Sequence, residues 1–578
     1  MIDRLRPHAA AIAVLLVAVV VRVLVGLDAQ DAPFWTAPVV DEIAYMQMSE
    51  RMVVGEDPPH GAYYMTPGYG WFLAALVGSG VQLPGVKVVQ LALGAFNALL
   101  VFALARRWFD RRVATLAGIL WAIAPIVLLH ETLILKPTLT VTLALAALWI
   151  LGKPGAGWIS WALGGLVLGA AATVRGEMLL VGIALVVVGV VAARRGWESA
   201  PKSAWAPLVG ALGLALVVAI PTAQNVARGG GPVLIAFSGG PNFYIGNHAG
   251  ADGSYLPLRP GRSDATVEAD DAVRLAREDS PRALDAAGVS RYWFGKGMHW
   301  WGQDPGSAIG LTLKKLLLVV GAWEGNDVHS LSIAGRWIAL LNNPLVRSGV
   351  IFPLALVGLA LLRPWKRVWP LAVFFVGSWV SIVPFFVFER FRIPLLAAAM
   401  ILAAVAVVRA NDGWRAGRRA PVAATTLATV VLGLLLSVPQ VERDESVLHV
   451  NVGSMLLQQG RFEEALDEFD VVRRLSPGAK RVEINRATAL HQLGREAEAL
   501  RALATALEAL YAEARATGRP PIEELGYCHE VAGDIEAAAG RRDEAAAHYR
   551  AILRLVPNHG RIQQKLSALG APGGSAGP

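Results

Sequence analysis

Two stretches of this chain have the residue types and spacing to do chemistry. Val40-Asp41-Glu42-Ile43-Ala44-Tyr45 sets two adjacent carboxylates just beyond an apolar run, and a carboxylate beside a reacting hydroxyl can take its proton as a general base. Near the far end of the apolar part, Glu389-Arg390-Phe391-Arg392 sets two guanidinium groups close together. Such groups hold phosphate oxygens bidentately and stabilise negative charge that grows on a departing phosphate. Between these stretches lie Tyr69 in Pro67-Gly68-Tyr69, the pair His130-Glu131, and Lys136 beside Pro137. Lys136 either joins a phosphate-holding set, pairs with Glu131, or extends along the apolar surface to reach water. Glu131 either orients an acceptor or positions Lys136. The plain alternative for Asp41 and Glu42 is a solvated acidic face, so the elements around them decide.

Those elements belong to a membrane. Hydrophobic residues make up 54% of the 578 residues and charged residues 17%, with a mean hydropathy of +0.47, a balance that excludes an ordinary soluble protein. Apolar runs of spanning length fall near 9–27, 86–105, 113–129, 133–151, 157–174, 178–193, 204–221, 345–362, 368–387, 393–408 and 421–438, about eleven by the hydropathy criterion. Only Arg22 interrupts the first, which reads as a retained span. Clusters at Arg106/Arg107/Arg111/Arg112, Arg194/Arg195, Arg363/Lys366/Arg367 and Arg409/Arg415/Arg418/Arg419 share one side with Arg4 and Arg6 if the runs alternate. That is the positive-inside pattern of a cytoplasmic N-terminus. It requires residues 307–322, which include Lys314 and Lys315, to lie on the outer surface as an amphipathic helix.

The net charge of +8 is then a topology signal, and nucleic acid is not an expected partner. A single cysteine, Cys528, excludes an intrachain disulfide and reads as a small buried residue. The outer side receives the acidic first loop with Asp41, the large loop 222–344 and the Arg390 stretch. Trp293, Trp300, Trp301 and Trp323 in the large loop read as interfacial aromatics.

After the last apolar run, residues 441–570 become charged, alanine-rich and amphipathic at helical spacing, and 571–578 read as a disordered tail. Gly460, Gly494 and Gly540 are each followed by an alanine, at Ala465, Ala499 and Ala545. The first interval, 34 residues, is the tetratricopeptide period; the second is longer, with the extra residues expected as a turn or loop around Gly518-Arg519-Pro520-Pro521. Gly453, Ala487 and Gly533 take the small position of the first helix. Phe469, Leu503 and Tyr549 take the large position of the second, and Pro477 and Pro557 end repeats.

With these parts in this order, residues 9–440 resemble the GT-C glycosyltransferases that use polyprenyl-phosphate sugars, especially the protein O-mannosyltransferase and aminoarabinose-transferase branch. Asp41-Glu42 looks like that branch's acidic pair in the first outer loop, Pro67-Gly68-Tyr69 its Pro-x-Tyr segment, Glu131 its second acidic position, and Arg390-Phe391-Arg392-Ile393-Pro394 its basic turn before a late span. Arg175-Gly176-Glu177 departs from the Arg-Pro pair expected there. The resemblance implies an all-α polytopic bundle (1–440) with an outer loop domain (222–344) and a C-terminal tetratricopeptide solenoid. It implies a glycosyltransferase in a bacterial inner membrane, its active site and tail extracytoplasmic. Sugar would move from a polyprenyl-phosphate donor to a hydroxyl of a protein or glycolipid acceptor. Asp41 is the expected base, with Glu42 and Glu131 as further acidic candidates, and Arg390, Arg392, Lys136, Tyr69 and His130 as binding candidates. The scheme requires no metal; a divalent cation, held by some members of the wider family, would fall to Asp41 and Glu131. The competing readings are a secondary transporter and a membrane-anchored scaffold whose tail binds an envelope protein.

Overall fold

The computed structural model describes residues 8–259, 265–280, 282–324, 328–438, 441, 445–476, 480–517 and 520–570. Pro477, Gly518, Arg519, Arg4, Arg6 and the tail 571–578 lie outside them. The chain forms two compact units, Met1–Arg443 and Asp444–Pro578. Among the described residues every regular element is helical.

The first unit opens with α1 (Ala9–Ala29), α2 (Asp41–Val54) and α3 (Pro67–Gly78). Apolar helices follow: α4 (Leu83–Trp108), α5 (Arg111–Ala122), α6 (Pro125–Glu131), α7 (Pro137–Leu151), α8 (Trp158–Val174), α9 (Glu177–Arg194) and α10 (Trp205–Ala227). The large loop carries α11 (Gly239–Ile245), α12 (Ala265–Glu278), α13 (Ala286–Gln303), α14 (Pro305–Val320) and α15 (Leu331–Ala334). The unit closes with α16 (Ser348–Ala360), α17 (Trp369–Ile382), α18 (Glu389–Arg415) and α19 (Arg419–Leu436). Six of these helices, α1, α4, α9, α10, α18 and α19, are long and apolar enough to cross a membrane. Helices α5 and α6 meet the same test together, bent by 53° where Pro125 cannot continue the hydrogen-bond ladder. Helices α7, α8, α16 and α17 are shorter and apolar.

Burial sorts these helices. The apolar stretch of α18 is 89% buried, whereas that of α19 is 6% buried; the first is the centre of the bundle and the second presents Leu427, Val430, Leu434 and Leu435 outward. Small residues make the central packing close. A Cβ added to Gly358 would stand 2.0 Å from the Leu402 carbonyl oxygen, so only glycine lets α16 touch α18 there.

The loop domain has its own core of Val233, Phe237, Ala272, Val273, Ala276, Val289 and Trp293. Trp293 donates its indole N–H to the Ala272 carbonyl at 2.9 Å, and is therefore a core residue of the loop domain rather than an interfacial aromatic. Helix α14 is apolar on both faces, burying Leu311, Leu318 and Val319. Ile309, Leu313 and Leu317 face outward while Lys315 is fully buried, its ammonium donating to the Gly246 carbonyl (2.8 Å), the Phe385 carbonyl (2.8 Å) and Asn247 Oδ1 (3.2 Å). The apolar run is thus read from both faces, and the lysine clamps the loop domain to the segment before α18.

The second unit is a succession of helix pairs: α20 (Ser446–Gln458) with α21 (Phe462–Leu475), α22 (Lys480–Gln492) with α23 (Glu496–Thr517), α24 (Ile522–Ala538) with α25 (Arg542–Leu555), and a last helix α26 (Gly560–Ala568). Gly460, Gly494 and Gly540 all have φ near +73, at +73, +72 and +77, in the left-handed conformation that ends a helix and favours glycine. That is why glycine recurs at these turns. A Cβ on Gly453 would meet the Phe469 ring at 2.5 Å and one on Gly533 the Tyr549 ring at 2.6 Å, so the small and large positions do face each other. The longer second interval is mostly helix rather than loop, because α23 has 22 residues where α21 has 14.

Candidate functional site

Asp41 is the first residue of α2, and Val40 before it has φ +49° and ψ −118°, a backbone state that a β-branched residue adopts at a cost of roughly 1–3 kcal/mol. The strain sits beside the carboxylate. Asp41 Oδ2 meets Arg390 Nη1 at 2.5 Å, with the side chains 14% and 11% exposed. The Arg390 guanidinium lies 4.9 Å from the Phe388 ring centre and 5.8 Å from that of Phe391, contacts that hold a cation in place.

Arg390 lies in the first turn of α18 rather than in a free turn, and this separates it from Arg392. Residues two apart on a helix point to different faces. Arg392 is 2% exposed and donates to the Gly321 carbonyl at 2.6 Å and to the Trp323 carbonyl. Its guanidinium lies over Phe352. It secures the end of α14 to α18, and the structure does not bring it to Asp41.

Pro394 has no N–H to give the carbonyl four residues back, that of Arg390. Arg175 supplies the missing donor: its Nη1 reaches Arg390 O at 2.9 Å, its guanidinium lies 4.1 Å from the Phe391 ring centre, and Glu177 pairs with it at 3.3 Å. The departure Arg175-Gly176-Glu177 thus still places a guanidinium at the site. Arg175→Ala should leave that carbonyl without its donor and Glu177 without its partner, lowering stability by about 1–3 kcal/mol. An unchanged unfolding midpoint in detergent would contradict this.

Lys136, the residue before α7, lies 6.0 Å from the Tyr45 ring centre and 3.4 Å from Thr66 Oγ1. It is within electrostatic range of Arg175, Glu177, Arg390 and Asp41. It does not pair with Glu131, which instead meets Arg22 of α1 at 2.8 Å with both groups buried. Arg22 also donates to the Ala122 carbonyl at 3.0 Å, at the α5–α6 break. Two charges inside an apolar bundle are retained because they neutralise each other, and Gly94 makes room: a Cβ there would stand 2.0 Å from Glu131 Oε1. Asp41 and Glu131 are therefore held by different arginines. Among the described residues no group of three or more His, Cys, Asp or Glu side chains converges.

Glu42, adjacent to Asp41, is fully buried. Its carboxylate accepts from the Ile134 amide at 2.7 Å and the Val39 amide at 3.3 Å, and stands 4.0 Å from His329 Nε2. Burial alone would raise its carboxyl, but His329, Lys87 and the Ile134 amide together hold it below the usual range. Glu42 fastens the start of α2 to the segment before α7. Tyr69 is equally buried: its hydroxyl donates to Gln90 Oε1 at 2.7 Å and its ring meets Tyr45 edge-on at 5.0 Å. Gly68 lets the start of α3 approach the end of α8, since a Cβ would strike Thr173 and Val174 at 2.5–2.6 Å. Tyr69 supports Tyr45, over which Lys136 lies. His130 is buried and bonds through Nδ1 to the Ile126 carbonyl at 2.9 Å.

A carboxylate that sequence reasoning missed is Glu268 of α12, buried in the loop domain. It accepts from the Tyr64 hydroxyl at 2.7 Å and from the Tyr255 hydroxyl. Burial, and secondarily the charge of Asp41, pushes its carboxyl up to about 7 against the two phenol bonds and Arg390. Nothing in Glu268-Ala269-Asp270-Asp271 distinguishes it from a solvated helix face.

The site therefore sets Asp41 against Arg390, with Arg175 and Lys136 as further cations and aromatic rings beside them, where the segment after α1 meets the start of α18. Residues 59–222 match the family model described as dolichyl-phosphate-mannose-protein mannosyltransferase, a segment that contains Tyr69, Glu131, Lys136 and Arg175. The match covers under a third of the chain, which over that segment is similar to a glycosyltransferase family. Similar solved structures include the oligosaccharyltransferase AglB from Archaeoglobus fulgidus in complex with an inhibitory peptide and a dolichol-phosphate, at 15% identity and TM-score 0.39 over 78% of this chain and 59% of that one. They also include ArnT from Cupriavidus metallidurans bound to undecaprenyl phosphate, at 17% identity and TM-score 0.31 over 69% of this chain and 78% of that one. The chain thus spans under two thirds of the length of the AglB chain it matches. No curated protein matches it.

Proposed function

We propose that this protein transfers a sugar from a polyprenyl-phosphate donor to an acceptor hydroxyl at the outer face of a bacterial inner membrane. The observation that carries the reading is the Asp41–Arg390 contact at 2.5 Å, which puts a base and a phosphate-binding group side by side. The acceptor oxygen attacks the anomeric carbon as Asp41 takes its proton. The bond from that carbon to the phosphate oxygen breaks, and its electron pair leaves with the phosphate. Arg390 receives the growing charge, with Lys136 and Arg175 adding to the local positive potential. A phosphate arriving at Arg390 draws the guanidinium from Asp41 and frees the carboxylate to act, so donor binding prepares the base.

Eleven crossings would place the tail on the side of Asp41, and its helix pairs, read as tetratricopeptide repeats, would hold a protein acceptor and raise its local concentration. Vesicles containing the full chain and a radiolabelled polyprenyl-phosphate sugar should pass label to protein or glycolipid. Label that crosses the bilayer without entering any acceptor would overturn the reading in favour of transport. Loss of all transfer on removing residues 444–578 would favour the scaffold.

A further inference from the structure

Glu268 is 5% exposed and has no part in the transfer scheme above, yet it is joined to the site by an unbroken line of contacts. The Tyr255 hydroxyl bonded to its carboxylate belongs to a ring that meets Phe386 at 5.1 Å and Phe388 at 5.2 Å. Phe388 lies against the Arg390 guanidinium at 4.9 Å, and Arg390 meets Asp41 at 2.5 Å. Backbone bonding fixes the same line, since the Val387 amide donates to the Gly253 carbonyl at 2.9 Å, bringing residue 253 of the loop beside the start of α18. On its other oxygen the carboxylate holds Tyr64 at 2.7 Å, whose ring meets Phe237 of the loop core at 5.0 Å.

The groups that face Glu268 are Tyr255 and Tyr64, which bond to it, and Asp41 and Arg390, whose charges act on it. Asp271, one turn along its own helix, is held by Arg259 at 3.4 Å and Arg274 at 2.9 Å. A carboxylate buried between two phenols and within electrostatic range of Arg390 is a costly arrangement for structure alone.

We propose that Glu268 is a positioning residue of the transfer site: through Tyr255 and Phe388 it fixes the Arg390 guanidinium, and its own charge sets how strongly that guanidinium holds a lipid phosphate. The inference rests on reading Arg390 as the phosphate-holding group. Ionised, Glu268 opposes an arriving phosphate; protonated, it keeps both phenols as partners, one as donor and one as acceptor, without the opposing charge. Since its carboxyl is raised to about 7, the change falls between pH 6 and pH 8. The loop domain thereby senses the acidity of the outer compartment and adjusts donor affinity.

The test uses the purified full chain in detergent and a sugar-free polyprenyl phosphate as probe, with binding measured at pH 6 and pH 8 for wild type, Glu268→Gln and Tyr255→Phe. The probe's own ionisation is common to all three proteins, so the comparison between variants isolates Glu268. Glu268→Gln should bind like wild type at pH 6 and about 5-fold more tightly than wild type at pH 8, the effect of removing one nearby charge from a partly buried site. Tyr255→Phe, which keeps the ring but frees it from the carboxylate, should bind about 5-fold more weakly than wild type at both pH values, as for the loss of one ordinary hydrogen bond. Wild-type binding in both variants at both pH values overturns the inference while leaving Arg390 as the phosphate group. An equal change in Glu268→Gln at both pH values reduces Glu268 to a structural role and also overturns it. Failure of the wild type to bind the probe overturns the reading of Arg390 itself. If Tyr255→Phe does not accumulate, the pH comparison with Glu268→Gln decides alone.

Discussion

Asp41→Asn should lower sugar transfer by about 10²–10⁴-fold, the usual contribution of a positioned general base, while the protein accumulates in the membrane at near wild-type level. Asparagine keeps the volume of the side chain and can still accept a hydrogen bond from Arg390, now at 2.5 Å from the carboxylate, so the first turn of α2 has little reason to move. It cannot take a proton from an acceptor. Glu42→Gln makes the contrast, because Glu42 accepts from two backbone amides at 2.7 Å and 3.3 Å and is fully buried. A glutamine there turns an N–H group against one amide donor, so this variant should lose folded protein rather than turnover per folded molecule. Initial rates normalised to detergent-soluble folded protein separate the two. Most of the wild-type rate in Asp41→Asn would move the base to another carboxylate, with Glu268 the next to try.

The parts of this site that were legible in the sequence are those fixed by residue type and by side of the membrane. Asp41 and Arg390 stand out because charged residues flanking apolar runs demand a reason, and the order of runs and basic clusters puts both at the same face. What could not be read is direction. Arg390 and Arg392 look equivalent until a helix begins at Glu389 and sends them to different faces, one to Asp41 and the other to the carbonyls of Gly321 and Trp323. Arg22 and Glu131 were each visible as isolated charges, but their contact joins segments 109 residues apart, so Lys136 looked the nearer partner for Glu131. The role of Arg175 depends on a hydrogen bond that Pro394 cannot make, in a helix 215 residues further on. Buried Glu268 and outward-facing Asp270 read alike in sequence, and only the packing of α12 against the loop core distinguishes them. In the tail the glycines were legible because a left-handed turn leaves a residue-type mark, whereas the length of α23 did not.

Arg390→Lys should raise the KM for the lipid-linked donor and reduce kcat/KM for that donor by about 10–100-fold, with the acceptor KM little changed. Lysine keeps a positive charge near Asp41 but loses the planar fork that holds two phosphate oxygens at once, and a charge-assisted hydrogen bond is worth about 1.5–3 kcal/mol. The aromatic setting strengthens the distinction: the guanidinium lies 4.9 Å from the Phe388 ring centre and 5.8 Å from that of Phe391, and a compact ammonium on a flexible stem is held less well. Arg392→Lys is the control that the geometry itself provides. Arg392 donates to two backbone carbonyls from a buried position, so losing its fork should reduce the amount of folded protein and leave the donor KM of the surviving molecules unchanged. Both enzymes, compared by steady-state kinetics with donor and acceptor varied separately, give opposite patterns if Arg390 holds the phosphate. Equal loss of donor and acceptor affinity in Arg390→Lys, or the Arg392→Lys pattern in both, would make Arg390 a structural partner of Asp41 and leave the phosphate to Lys136 and Arg175.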